Sequence, residues 1–243
     1  MTQLFILIIA HLLADFYFQT EAIAKNKERK FRYLLLHAVI YAVMLYLGAI
    51  LSVHPLRAVF PITVVSLAHF IIDWFKIIIN RHLNTARTHL YSFCIDQLLH
   101  VSIILIAYFG CLRFSPPAPW WSNLASYPLL HEYAVYALIV LLCLKPPAIL
   151  VSRLLACFEP KDNEPQSPDK GGYLIGLLER LIVAILIING HVGEIAFVLT
   201  AKSVARFKEF EKSGFAEKFL IGTMASISFA LAVSLLLMRF VPS

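Results

Sequence analysis

Residues Ala10–Gln19 read AHLLADFYFQ, with a His and an Asp four residues apart inside an apolar N-terminal run. A helix puts positions i and i+4 on one face, so His11 and Asp15 stand side by side on a segment fit for lipid. Burying such a pair in hydrocarbon is expensive. Whatever compensates for it defines the kind of helical assembly to which the segment belongs.

The rest of the chain fits that setting. Of its 243 residues, 60% are hydrophobic, against roughly 45–50% in a soluble domain, and the mean hydropathy is +0.76. Apolar runs alternate with charged clusters along the whole length, which predicts a polytopic membrane protein. Lipid requires backbone groups to be satisfied within each segment, so the fold expected is all-α. About eight transmembrane helices are drawn, at roughly 2–19, 31–53, 56–79, 91–112, 131–157, 172–190, 192–208 and 217–239. The first is read as a retained helix, because no Lys or Arg precedes it and His11 and Asp15 interrupt what would be a signal core. Cys94, Cys111, Cys143 and Cys157 are scattered singly and read as packing residues.

The basic residues set the orientation. Sixteen of the 21 Lys and Arg fall in alternate loops and their margins, as in Lys25, Lys27, Arg29, Lys30 and Arg32 of the first. This bias puts the odd-numbered loops in the cytoplasm and both termini on the other side. It also accounts for the pI of about 9.2 without a nucleic-acid partner. Trp120 and Trp121, in PPAPWW, read as interfacial anchors. The organisation expected is a four-helix half at 1–115, a fifth helix at 131–158, a Pro-rich cytoplasmic linker at 159–172 and C-terminal helices with basic residues at 173–243.

An internal repeat runs through the first half. HLLAD at 11–15 recurs as HFIID at 69–73, and LLHAVIY at 35–41 recurs loosely as LLHVSII at 98–104. The first four helices thus read as a tandem repeat of helical hairpins.

Depth then groups the polar residues. At ~1.5 Å per residue, Asp15, Asp73 and Asp96 fall in one layer of the cytoplasmic half, with His11, His37, His69 and His100 close by. Each Asp costs ~2.5–3.5 kcal/mol at a helix centre. Three unpaired would cost roughly 8–10 kcal/mol, comparable with the ~5–15 kcal/mol stability of a whole domain. Lys76 is the one basic group expected near that depth in these four helices, and it can snorkel outward. A divalent cation neutralises several carboxylates at once, and His with Asp suits Zn best, with Mn or Fe as alternatives. Seven ligands predict one or two ions, with Gln19 and Gln97 supporting them. A proton or ion relay and a purely structural network are the competing readings of the same residues.

The second half adds Glu179 and Arg180 in GLLERL, Lys202 and Arg206 in AKSVARF, and Lys145 just before a break expected at Pro146–Pro147. If these basic groups reach the same layer, Lys145, Arg180, Lys202 and Arg206 would hold an anionic substrate group, with Glu179 supporting them. Ordinary positive-inside flanking is the competing reading of Lys202 and Arg206.

HLLADFYFQT, HAVIYA, HFIIDWFK and DQLLH, followed by GYLIGLLERL, AKSVARF and EKFLIGTMAS, together resemble the bacterial membrane-protein family catalogued as domain of unknown function 3307. The resemblance spans nearly the full chain. It implies a bacterial inner-membrane protein and brings no activity with it.

The function expected is a metal-dependent hydrolase acting on a membrane lipid or lipid-linked substrate, with Asp15, Asp73 or Asp96 as general base. The alternative is a transporter or ion- and lipid-binding protein that uses the cluster as a relay or binding site. The confinement of polar residues to one half of the bilayer favours the hydrolase.

Overall fold

The computed structural model describes residues 1–127, 129–158, 170–211 and 214–241. Among them every regular element is helical, and extended backbone pairs only in an isolated antiparallel bridge between Val53 and Pro117. Helix α1 (Thr2–Leu12) runs into a π-helical turn, Leu13–Tyr17, where the Phe18 N–H donates to the Leu13 carbonyl at 2.8 Å. The Thr20 hydroxyl caps the short α2 (Glu21–Lys27) by accepting from the Ile23 N–H. The chain bends by 81° between α1 and α2. Three long helices follow: α3 (Phe31–Ser52), α4 (Pro55–His82) and α5 (Ala86–Gly110). After a five-residue α6 (Trp121–Ala125) come α7 (Leu130–Ala156), α8 (Lys170–Ile188), α9 (Ile195–Ala205) and α10 (Phe215–Met238).

Among the described residues six helices are long and apolar enough to cross a membrane: α3, α4, α5 with the turn after it, α7, α8 and α10. A seventh crossing is made if α1 and α2 count as one bent segment. The protein is a helical membrane protein. The eighth expected span differs. Of residues 192–208 only the 11 residues of α9 are α-helical, about 16 Å of rise against a ~30 Å hydrocarbon core. Gly190, at φ +79°, ends α8 in a conformation that favours glycine, and 3₁₀ turns at Val192–Glu194 and Phe207–Glu211 flank α9. Residues 159–169 of the expected linker lie outside the described residues.

The break expected at Pro146–Pro147 does not occur, because α7 runs unbroken through both prolines. A proline lacks the N–H that would bond the carbonyl four residues back, so Pro147 leaves the Cys143 carbonyl without its helical donor. Arg180 of α8 supplies one: its Nε donates to that carbonyl at 2.9 Å, and its Nη1 donates to the Ser226 hydroxyl of α10 at 3.0 Å.

The chain divides into two compact units, Met1–Leu138 and Ile139–Ser243. In the second, α8 packs on α10 and buries Val183, Ala184 and Ile187 with Ile227 and Ala230. In the first, α1, α3, α4 and α5 each turn a stripe of three- and four-residue spacing inward. The stripe of α4 is Ala58, Ile62, Val65, His69, Asp73 and Ile77; that of α5 is Phe93, Asp96, His100, Ile104 and Tyr108. One end of all four stripes is apolar, with Leu4, Leu7, Leu45, Ala49, Ile62 and Ile104 in a single core. The other end carries the His and Asp. Outward positions such as Val39, Phe60, Leu67 and Ile106 are exposed, as lipid-facing residues are. The Gln3 side chain at the start of α1 donates to the Ser52 carbonyl at the end of α3, so the two helices run antiparallel. Gly48 lets them approach closely: a Cβ there would lie 2.9 Å from that of Ala10.

Candidate metal centre

All seven residues singled out as candidate ligands meet at the polar ends of the stripes. His11, His37, His69 and His100 are each no more than 1% exposed, and Asp73 and Asp96 are 2% exposed. Asp15 is the hub. Its Oδ1 lies 2.9 Å from His69 Nε2 and 3.3 Å from His37 Nε2, and its Oδ2 lies 3.5 Å from His100 Nδ1 and 4.0 Å from His11 Nδ1. One carboxylate thus faces four imidazoles from four helices. The π turn places it there: Asp15 sits in the middle of that wider winding, a distortion that recurs at functional sites.

Three ligand sets have donor atoms within 4.8 Å of one another: His11–Asp15–His100, Asp15–His37–His69 and Asp73–Asp96–His100. Many of these atoms have no hydrogen-bond partner among the described residues. Both ring nitrogens of His11, His37 and His100, Nδ1 of His69 and Oδ1 of Asp96 are buried in this way. Buried polar atoms are normally satisfied, so their convergence is the signature of a site that takes up an ion or water. His69 and His100 stack at 4.1 Å between ring centroids, and Tyr41 stacks on the other side of His69 at 3.5 Å.

The contacts within the cluster differ in detail from the helical spacing. His69 turns across to Asp15 rather than to Asp73 on its own helix. Asp96 and His100 do approach on one face, at 3.8 Å. Exchanging His11 with His69 and His37 with His100, as the sequence repeat does, maps the His11–His100 pair onto His37–His69. Their ring centroids are 5.6 and 5.2 Å apart.

The charge balance also differs from the sequence reading. Lys76 does not snorkel outward; its Nζ lies 2.6 Å from Asp96 Oδ2. A second ammonium, Lys27 of α2, lies 2.8 Å from Asp73 Oδ2. Lys27 sits among the basic residues of the first loop, where it counts only as a topology signal until the 81° bend turns α2 back under the bundle. Gln19 serves this lysine. With its amide oriented to satisfy both neighbours, it donates to the backbone carbonyl of Asp15 at 2.8 Å and accepts from Lys27 at 3.0 Å. Gln97 donates to Asp96 at 3.1 Å and to Asp15 at 3.3 Å. Among the described residues no lysine or arginine lies within 4.0 Å of the Asp15 carboxylate. Tyr41, wholly buried at the border with the apolar core, is a member that the sequence reading missed. Its position one turn beyond His37, on the same stripe, is the signal that could have found it.

Beyond Asp73 the α4 stripe continues through Ile77 to Asn80. A cavity of about 310 Å³ opens there, lined also by Glu28, Arg29, Arg81, Asn84 and His89. The Asn80 side chain is anchored by the Ser92 hydroxyl, which donates to its Oδ1 at 2.8 Å.

The second-half candidates belong to the other unit. Lys202 pairs with Glu179 at 2.5 Å and Arg206 approaches Glu209 at 3.6 Å. Arg180 is 4% exposed and bonded to α7 and α10. Lys145 is half-buried on α7.

The fold and the cluster define a helical membrane protein with a buried four-His, three-Asp centre. The family described as "Protein of unknown function (DUF3307)" matches residues 3–126, and the chain belongs to that family. The match is narrower than the resemblance suggested. It holds every member of the cluster with Lys27 and Lys76, whereas Glu179, Arg180, Lys202 and Arg206 lie outside it. No curated protein and no solved structure matches the chain.

Proposed function

We propose that this is a metal-dependent membrane hydrolase whose Asp15-centred cluster binds a divalent transition ion, Zn foremost, and acts on a lipid or lipid-linked ester or phosphoester. The observation that carries the reading is the set of buried imidazole nitrogens without hydrogen-bond partners among the described residues, around one carboxylate with no described lysine or arginine within 4.0 Å. Asp15, His37 and His69 would hold the ion. Two His and one carboxylate with a position left open are a catalytic rather than a structural ligand set. Bound there, the ion supplies Lewis acidity and a water acidified to near-neutral pKa.

The chain's own groups divide the remaining tasks. Asp96 would present Oδ1, buried and without a hydrogen-bond partner among the described residues, as a proton acceptor, while Lys76 holds its other oxygen. Arg29, Arg81 and His89 around the cavity offer donors to an anionic headgroup. The positive-inside bias puts this cavity at the cytoplasmic face and the N-terminus opposite. A bacterial inner membrane is the setting that the sequence resemblance implies.

One observation favours the second reading, a transporter or ion relay. Lys27 and Lys76 already neutralise two of the three carboxylates, as they could in a relay. Against it stands the apolar core that fills the outer ends of the same four stripes, which offers an ion no polar path.

Elemental analysis of the detergent-purified full chain tests the metal. About one equivalent is expected in wild type and a loss in His69→Ala. A wild type without stoichiometric metal, purified so as to retain bound ions, would sink the reading. Hydrolysis of headgroup-labelled phospholipid in vesicles, absent in Asp96→Asn, separates the enzyme from the relay.

A further inference from the structure

Lys27 and Lys76 do more than balance charge. They converge from two helices on one ligand set, Asp73–Asp96–His100, whose donor atoms lie within 4.8 Å of one another. Lys27 takes Asp73 Oδ2 at 2.8 Å and Lys76 takes Asp96 Oδ2 at 2.6 Å. Both lysines are themselves largely buried, at 12% and 16% side-chain exposure. Asp96 Oδ1 and both nitrogens of His100 are buried in the same place without a hydrogen-bond partner among the described residues. This set shares no residue with Asp15–His37–His69, and the two adjoin where His37 Nε2 lies 3.3 Å from Asp73 Oδ2. Two carboxylates and an imidazole are a ligand set in their own right, and ammonium groups are the cations that the chain has put there.

We propose that Asp73, Asp96 and His100 form a second divalent-cation seat, which Lys27 and Lys76 fill with tethered ammonium groups and so hold the centre to one metal ion. The inference rests on the reading of the Asp15 set as the working metal site. The charges support it. Three carboxylates and two ammonium groups leave one net negative charge, which one divalent ion turns into one net positive charge. A second ion on top of the lysines would raise the excess to three positive charges in a buried, low-dielectric site, where like charges repel strongly. With both lysines made neutral, two divalent ions bring the cluster back to a single positive charge. The arrangement also serves the chemistry proposed above, because a lysine on Oδ2 keeps Asp96 Oδ1 open to accept a proton.

The test is a zinc count on the full chain in detergent, by elemental analysis after equilibration with zinc and removal of excess. Wild type is expected to hold about one equivalent, and Lys27→Met with Lys76→Met about two. Restoring charge as Lys27→Arg with Lys76→Arg should return the count to about one, and adding Asp73→Asn to the double Met variant should remove the gained ion. The single Lys76→Met variant, which keeps one ion pair, covers the case in which the double variant does not fold. It is expected to take up a second zinc at least about tenfold more tightly than wild type does. Two zinc ions in wild type, or no gain in the folded lysine variants, would overturn the proposal. A wild type with none overturns the metal reading itself, so the two failures are distinct.

Discussion

Asp15 and Arg180 are both charges sunk in apolar helices, one in each compact unit of the chain, and they are handled in opposite ways. Arg180 is spent on structure: its Nε donates to a carbonyl left without a donor by Pro147, and its Nη1 donates to Ser226, so that one side chain ties three helices. Asp15 faces four imidazoles, and the ring nitrogens of three of them have no hydrogen-bond partner among the described residues. A buried charge that repairs backbone is architecture. A buried charge among unsatisfied imidazoles is a candidate site. Both are charged side chains in apolar helices, and the account of their partners is what separates them.

The largest effect expected from this contrast is at Asp15. Replacing it with Ala leaves four buried imidazoles facing a gap and removes the partner they share, which should cost about 3–5 kcal/mol of stability and abolish metal content. Thermal unfolding and elemental analysis on the same preparation check both. Arg180→Met should cost less, about 1–3 kcal/mol for the carbonyl it strands, and leave the metal count untouched. It also has a specific rescue. Pro147→Ala restores the N–H that the Cys143 carbonyl lacks, so it should recover much of the loss in the Arg180→Met background while gaining little in wild type. A double-mutant cycle without that coupling would return Arg180 to the substrate-binding role read from the sequence.

What the sequence disclosed follows the same line. The clustering of these seven residues was legible because a helix repeats its face every three to four residues. Lys27 was not legible, because it sits in a run with Lys25, Arg29, Lys30 and Arg32, where charge reads as topology, and only the bend after the π turn carries it to Asp73. The Pro146–Pro147 break was expected from backbone chemistry that is correct, since a carbonyl does need a donor. A distant arginine supplies it and the helix stays whole. The eighth span failed for a related reason: hydropathy registers apolar length, but not the glycine turn and 3₁₀ windings that reduce the α-helix to Ile195–Ala205.

A packing change tests how far the site depends on its scaffold. Gly48→Val would drive a side chain into Ala10, one residue from His11, where even a Cβ comes within 2.9 Å. Overpacking of this kind costs about 1–3 kcal/mol. Because it pushes α1 away from α3, it should weaken zinc binding as well as lower the unfolding temperature. A variant that lost stability with zinc affinity unchanged would show that the ligands do not need the α1–α3 approach.

The smallest effect should come from the pair most easily mistaken for part of the site. Lys202 and Glu179 meet at 2.5 Å with 17% and 14% of their side chains exposed, and Lys202 also lies over the Phe219 ring at 5.4 Å. All three residues belong to the second unit and lie outside the family match. The pair keeps some solvent access, so it should contribute only about 0.2–1 kcal/mol, measured as the coupling between Glu179→Gln and Lys202→Met in unfolding. Neither substitution should change the zinc count. Lys202→Arg should behave as wild type in stability, because it keeps the charge that Glu179 requires. If Lys202→Met instead raised the KM for a phospholipid substrate with kcat intact, the second unit would hold the headgroup. The division between a unit that binds and a unit that braces would then have to be redrawn around that lysine.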